Sequence, residues 1–394
     1  MSPDSVAPSP RDLRPMDVAG RLQRLRSVLE EAEVDAVLVT NLQNVRYLTG
    51  FSGSSADLLV GADVALLVTD GRYRTQVQEQ LGSAGLTGEV EIFVGKAQAQ
   101  REAVAAAVNR TNAGRVGLEA ESVSWGAERR IGRLLPSAQL VPTEGLVERL
   151  RQAKDPGELD RMAAAAAIAD AALAEVLGML GDGEREDLVA LALDTAMRRL
   201  GAEDRAFDTI VASGPNAAKP HARPSARRIV RGDYVVIDFG ATFEGYRSDM
   251  TRTFCIGGDA AGELAGVFTV VAEAQAAGLA EVRAGVEAGA VDAACREVIA
   301  RAGWAEAFEH GTGHGVGLDI HEAPAVSEGS TAVLAAGSVV TVEPGVYLPG
   351  LGGVRIEDTV VVTDDGCRVL TGFTKEPAVP TGQSRADRGT RDRS

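Results

Sequence analysis

Cysteine is scarce in this 394-residue chain. Cys255, Cys295 and Cys367 are widely spaced, odd in number and form no CxxC pair. That excludes a disulfide scaffold and a thiolate metal site, and leaves ordinary half-buried side chains as the expectation. A basic surplus is missing too. Forty Lys and Arg against 56 Asp and Glu give a formal net charge of -16, which disfavours nucleic acid or an anionic membrane, since either needs a basic face. No apolar run reads as long enough to span a bilayer, and the N-terminal MSPDSVAPSPRDLRP lacks the basic-then-apolar order of a signal peptide. The expectation is a soluble cytoplasmic protein with no membrane partner. Histidine is nearly as rare as cysteine. The four residues, His221, His310, His314 and His321, all fall in or near glycine-rich segments of the second half, interleaved with two acidic pairs, Asp238/Asp249 and Glu343/Glu357. A residue type this scarce and this clustered marks a site.

The length calls for two domains. The first part alternates strands and helices: a helix around 17 to 32, the strand DAVLVT (35 to 40), a hairpin over 57 to 70, and the further strands EVEIFV and RVGLEA. This predicts an α/β domain over 1–150. Lys154-Asp155-Pro156-Gly157-Glu158 then reads as a helix start, with Asp155 as N-cap, Pro156 at the first helical position and Glu158 at the third. A second domain over 155–376 would run helix, helix, strands, and then repeat that order, a weak internal duplication of an α+β unit. The polar, aperiodic stretch 377–394 is expected to be a disordered tail.

The acids carry the chemistry. Asp238 sits in the apolar strand VVIDFG, and a buried ionised carboxylate is costly unless paired or metal-bound. A turn over Ala241 to Gly245 would bring Asp249 back beside it, where two acids repel unless a cation lies between them. Glu343 ends the strand VVTV, Glu357 is expected within the strand GVRIEDTVVV, and a turn over Leu348 to Gly353 would join this second pair. HGTGHGVGLDIHE supplies nitrogen donors without the HExxH arrangement of a zinc-protease helix. Four carboxylates and one imidazole form a hard ligand set that suits manganese or cobalt as well as zinc, with manganese the first expectation. Two such cations side by side would polarise a carbonyl and lower the pKa of a water, which is machinery for amide hydrolysis.

With these motifs in place, the second domain closely resembles the pita-bread metallopeptidases, and within them the Xaa-Pro peptidases (prolidase and aminopeptidase P), over about 155 to 375. The resemblance implies a pita-bread catalytic domain whose five metal ligands are Asp238, Asp249, His314, Glu343 and Glu357. Asp249 and Glu357 would bridge both metals, Asp238 would complete one shell, and His314 with Glu343 the other. It also implies a part for Glu343 in activating the nucleophile, contacts from His221 and His321 to substrate and the tetrahedral intermediate, and an orienting or carboxylate-reading role for Arg355. Tyr347 and His310 fall at matching positions. The first domain resembles the creatinase/prolidase-type N-terminal domain through YLTGFSGSS (47 to 55) and LLVTDGRY (66 to 73). The expected partners are short proline-containing peptides and a second copy of the chain. The competing expectation is a catalytically silent pita-bread protein that binds a peptide or protein in the same cleft; five intact ligands favour the enzyme.

Overall fold

Asp155 and Glu158 form a reciprocal cap. The Asp155 N–H donates to Glu158 Oε2 and the Glu158 N–H to Asp155 Oδ1, both at 2.9 Å, so two backbone donors at the helix start are satisfied. The helix Pro156–Gly181 follows. The computed structural model describes residues 13–181, 183–257 and 262–379. The chain divides into two units: one is Met16–Arg151, and the other takes the chain from Gln152 onward together with the described residues ahead of Met16. Leu13–Pro15 therefore belong with the second unit and not with the first domain over 1–150 that the sequence predicts. Leu13 packs on the apolar core of the second unit, and Arg14 pairs with Asp160 at 2.5 Å.

In the Met16–Arg151 unit a six-stranded sheet runs in the spatial order Glu91–Val94, Val64–Thr69, Ala56–Gly61, Ala36–Val39, Arg115–Glu119, Gln139–Thr143. The central hairpin pairs Leu58 with Leu67, and the outer pairings are parallel. Val64–Thr69 is buried throughout, which is why it reads as an unbroken apolar run rather than an alternating one.

The second unit repeats helix, helix, sheet. Pro156–Gly181 and Glu186–Arg199 pack through Ile168, Leu173, Val189 and Leu193 onto Val235, Ile237 and Phe254, side chains of a sheet ordered Ala378–Val379, Met250–Ile256, Tyr234–Phe239, Ile210–Ser213. Glu263–Glu281 and Ala288–Arg301 pack through Val267, Val271, Val291 and Ile299 onto Val340, Val342 and Val360. Those valines belong to a sheet ordered Glu322–Val326, Gly313–Gly315, Val339–Val342, Asp358–Val362, Cys367–Val369. The hairpin Gly345–Leu348/Gly352–Arg355 stands beside it.

Several expectations need correction. The turn over Ala241–Gly245 narrows to Glu244 and Gly245, at φ 44° and 84°, because Ala241–Phe243 is itself a short strand paired with Tyr246–Arg247 and Asp204–Arg205. Glu357 lies between the strands Gly352–Arg355 and Asp358–Val362, not within one. The chain changes sheets there, and the Glu357 N–H bonds to Thr251 O of the other sheet at 3.1 Å. Cys255 and Cys295 are fully buried rather than half-buried, each inside the second apolar cluster. The expected tail begins as structure, since Ala378 and Val379 pair with Cys255 and Ile256; from 380 it lies outside the described residues. Pro156–Gly181 and Glu263–Glu281 are long and apolar enough to cross a bilayer by length and composition. Alanine content raises their hydropathy, while Ile168, Leu173, Val267 and Val271 are buried on the unit's own sheets.

Candidate functional site

The two sheets of the second unit each deliver acids to one place. Asp238, near the end of Tyr234–Phe239, faces Thr251 in the antiparallel register. Asp249 immediately precedes Met250–Ile256, and its carbonyl accepts from Thr359 Oγ1 at 2.8 Å. Glu357 comes in at the sheet crossing. Oxygens of Asp238, Asp249 and Glu357 lie within 4.8 Å of one another. Glu343, just past Val339–Val342, is fixed by its N–H to Thr312 O at 2.7 Å and by Thr341 Oγ1 at 3.3 Å from Oε1.

His314 closes the cluster from the Gly313–Gly315 strand. Gly315 O lies 3.0 Å from its Nδ1 and can only accept, so Nδ1 carries the proton and Nε2 presents a lone pair. Burial holds the ring neutral by lowering its pKa. Yet Nε2 faces Glu343 Oε1 at 3.4 Å and Asp249 Oδ2 at 3.6 Å. Lone pairs converging in this way need a cation among them.

The acids tell the same story. Desolvation first, then the charges of Glu357, Asp238 and Glu343, push the Asp249 carboxyl well above its ordinary range. Desolvation and then Glu343 and Asp238 do the same to Glu357, and burial pushes Glu343 up to about 8. Asp238 Oδ1 and Glu357 Oε1 are buried and find no hydrogen-bond partner among the described residues. Orphaned oxygens, one lone-pair nitrogen and an excess of negative charge fit divalent cations.

Among the described residues, Arg355 is the one guanidinium paired with these side-chain carboxylates. It donates to Asp238 Oδ2 (2.5 Å), the Tyr347 hydroxyl (2.8 Å), Thr251 Oγ1 (3.1 Å) and Pro220 O (3.2 Å). Tyr347 in turn lies 2.8 Å from His310 Nε2, and His310 Nδ1 lies 2.8 Å from Gly311 O. His310 is thus a satisfied structural side chain, kept neutral by burial, which lowers its pKa to about 4. His221, Asp238, Asp249, His314, His321, Glu343, Arg355 and Glu357, the eight residues expected at the site, all line one cavity of about 470 Å³. The His314 and His321 rings meet edge to face at 4.5 Å.

Sequence reasoning missed the hydroxyls and a second arginine. Thr251 donates to Glu357 Oε2 at 2.6 Å, and Thr341 Oγ1 accepts the His314 N–H at 3.0 Å. Both flank ligands on strands, a weak but usable signal. Arg252, 1% exposed, reaches Glu357 O at 2.5 Å, Asp358 Oδ1 at 2.9 Å and Phe373 O at 2.8 Å. Asp358 also accepts from Gln275 and Thr371, both at 2.9 Å. This network holds the backbone of Glu357 in place. Lys375 remains paired with Asp358, so Arg252→Met is expected to cost about 2 kcal/mol, chiefly by leaving the buried Glu357 and Phe373 carbonyls without their donor. A denaturation midpoint within error of wild type would remove Arg252 from that role.

Residues 160–364 match metallopeptidase family M24, and residues 21–153 match the creatinase/prolidase N-terminal domain. The chain belongs to metallopeptidase family M24. Among solved structures it is similar to an Xaa-Pro dipeptidase from Bacillus anthracis, with 38% identity and a TM-score of 0.87, covering 92% of this chain and all of that one. An X-Pro aminopeptidase from Thermotoga maritima gives 36% identity and a TM-score of 0.82, covering 91% of this chain and all of that one. The curated Xaa-Pro dipeptidase of Pyrococcus horikoshii is 33% identical over 364 residues, 92% of this chain and 99% of the relative. The chain is thus a pita-bread catalytic unit preceded by a creatinase/prolidase-type unit, and the divalent metals that an M24 metallopeptidase implies suit the chemistry of the acid cluster.

Proposed function

We propose that this M24 enzyme removes an N-terminal residue from short peptides by cleaving the bond ahead of proline. The observation that carries the hydrolytic half is the convergence of Asp238, Asp249, His314, Glu343 and Glu357 on one cavity with carboxylate oxygens left unpartnered. Asp249 faces both His314 and the Asp238–Glu357 group, which supports a bridging role for Asp249 and Glu357, with Asp238 serving one cation and His314 and Glu343 the other. Two divalent cations bound there, manganese first on the hardness of the donors and cobalt or zinc next, supply carbonyl polarisation and water activation.

The protein's own groups do the rest. Glu343, just past Val339–Val342 and facing His314, takes the proton of the attacking water and hands it to the departing proline nitrogen. His221 and His321 line the same cavity and donate to the oxyanion of the tetrahedral intermediate. His221→Ala and His321→Ala are therefore expected to keep bound metal and lose roughly 100-fold in kcat. Loss of metal from either folded variant would put that histidine among the ligands instead.

Proline supplies the specificity. Its tertiary amide has no N–H and its ring is fixed, so it needs a shaped apolar wall, and Phe207, Ile210, Pro220 and Ile320 provide one. Relatives named for dipeptidase and for aminopeptidase activity lie at similar identity, which supports Xaa-Pro chemistry in either substrate length. The testing measurement is kcat/KM for Ala-Pro against Ala-Ala with added Mn²⁺. A preference of more than about tenfold is expected from a methylene-scale apolar fit alone; equal values would overturn the proline assignment. Metal content of the purified protein separates the enzyme from a silent peptide-binding relative, and light scattering tests the expected homodimer.

A further inference from the structure

A free peptide carboxylate needs a cation, and Arg355 is not available to supply it. It directs four hydrogen bonds at protein groups and is 3% exposed. Among the side chains lining the cavity, the other guanidinium is Arg223. It is exposed, and it makes no hydrogen bond or ion pair to any described residue. Asp208, which lines the same cavity, is already paired with Arg205 at 2.6 Å, and no ion pair joins Arg223 to a described acid.

Arg223 borders the cavity beside His221. His221 and Arg223 are exposed on either side of the buried Ala222, whose N–H closes a turn to Lys219 O at 3.1 Å, and both line the cavity. Pro220 and Pro224 flank them, and Ile210 lines the same cavity. In an Xaa-Pro dipeptide the carboxylate is attached to the Cα of the proline ring, so the group that reads it must stand beside the apolar wall that holds the ring. Arg223 shares the cavity lining with Pro220, Pro224 and Ile210.

We infer that Arg223 is a specificity-determining residue that binds the free α-carboxylate of an Xaa-Pro dipeptide, so that the preferred substrate ends at proline. This rests on the Xaa-Pro reading and adds substrate length to it. An arginine at a solvated rim confers a modest but measurable preference, through a bidentate pair with the carboxylate.

The test compares Ala-Pro with Ala-Pro amide, which keeps the ring and removes the charge, on the full-length Mn²⁺-loaded protein. Wild type is expected to show a KM about tenfold lower for the acid, the value of one charge-assisted hydrogen-bonded contact. In Arg223→Ala and Arg223→Gln the KM for the acid should rise to that of the amide, and Arg223→Lys should recover part of the difference. Isothermal titration of the chelated protein with the two probes reads the same contrast without turnover. An acid-to-amide ratio unchanged by Arg223→Ala, or equal KM values in wild type, overturns the assignment while leaving the Xaa-Pro reading intact, because both probes carry proline. The same contrast on Ala-Ala and Ala-Ala amide isolates the reverse case: a carboxylate preference that survives there upholds Arg223 even where the proline reading fails.

Discussion

Chelation abolishes peptidase activity, and Mn²⁺ or Co²⁺ restores it. This is the expected result because the clustered acids of the cavity carry more negative charge than the described residues around them offset. Three carboxylates within 4.8 Å, a neutral imidazole with its lone pair facing two acids and two orphaned buried oxygens leave Arg355, among the described residues, as the single guanidinium paired with the acids. One positive charge cannot offset four carboxylates. Asp249→Ala should be the most damaging single change, since Asp249 faces both halves of the centre; a loss of more than about 100-fold in kcat/KM is expected, beyond the effect of removing a supporting partner, together with reduced metal content. Demetallated protein that still cleaved Ala-Pro would overturn the mechanism, and an Asp249→Ala variant with normal metal and turnover would remove that residue from it.

Local signals made much of this legible. The Asp155–Glu158 cap is written within four residues and closes within them. Asp238 was readable because VVIDFG is otherwise apolar, and Glu343 because it ends a valine-rich strand just before Pro344-Gly345. Arg252 was not. Its role exists only through Glu357, Asp358 and Phe373, more than 100 residues away, and nothing in MTRTF distinguishes it from a solvated arginine. Glu357 lies in the cavity with the other acids but not within a strand as expected, since GVRIEDTVVV gives no sign that the chain changes sheets between Arg355 and Asp358. The hairpin turn was placed too broadly because Ala241–Phe243 pairs with Asp204–Arg205, a contact invisible to a reading of the hairpin alone. Cavity walls such as Phe207 and Arg223 lie on segments without periodicity, so sequence patterning offered no handle on them.

The metal-free protein should lose stability as pH rises from 6.5 to 8, the reverse of what a protein held by ordinary ionised carboxylates does. A carboxyl whose folded pKa is raised binds more protons folded than unfolded, so stability falls with pH between the unfolded and folded values. For Glu343 that window runs from about 4.5 to about 8; Asp249 and Glu357, pushed up by burial and by each other's company, extend it. The histidines act in the opposite sense. His310, lowered from 6.5 to about 4 by burial, is protonated more readily unfolded, so its contribution to stability rises with pH up to about 6.5 and is then complete; His314 and His321 are also lowered by burial. Asp57 and Asp170, both raised to about 6 by desolvation, run with the other acids but are mostly ionised by pH 7. Above pH 6.5 the clustered carboxyls of the cavity therefore dominate. Glu343 alone contributes about 2 kcal/mol of lost stability between pH 6.5 and 8, which for a unit of this size lowers Tm by roughly 4 to 8 °C. Bound cations replace those protons, so the stabilisation by Mn²⁺ should be larger at pH 8 than at pH 6.5. The measurement is a Tm series on chelated and Mn²⁺-loaded protein across that interval. A chelated Tm that stays flat or climbs, with the loaded protein parallel to it, would mean that the four acids do not confront one another in the absence of metal.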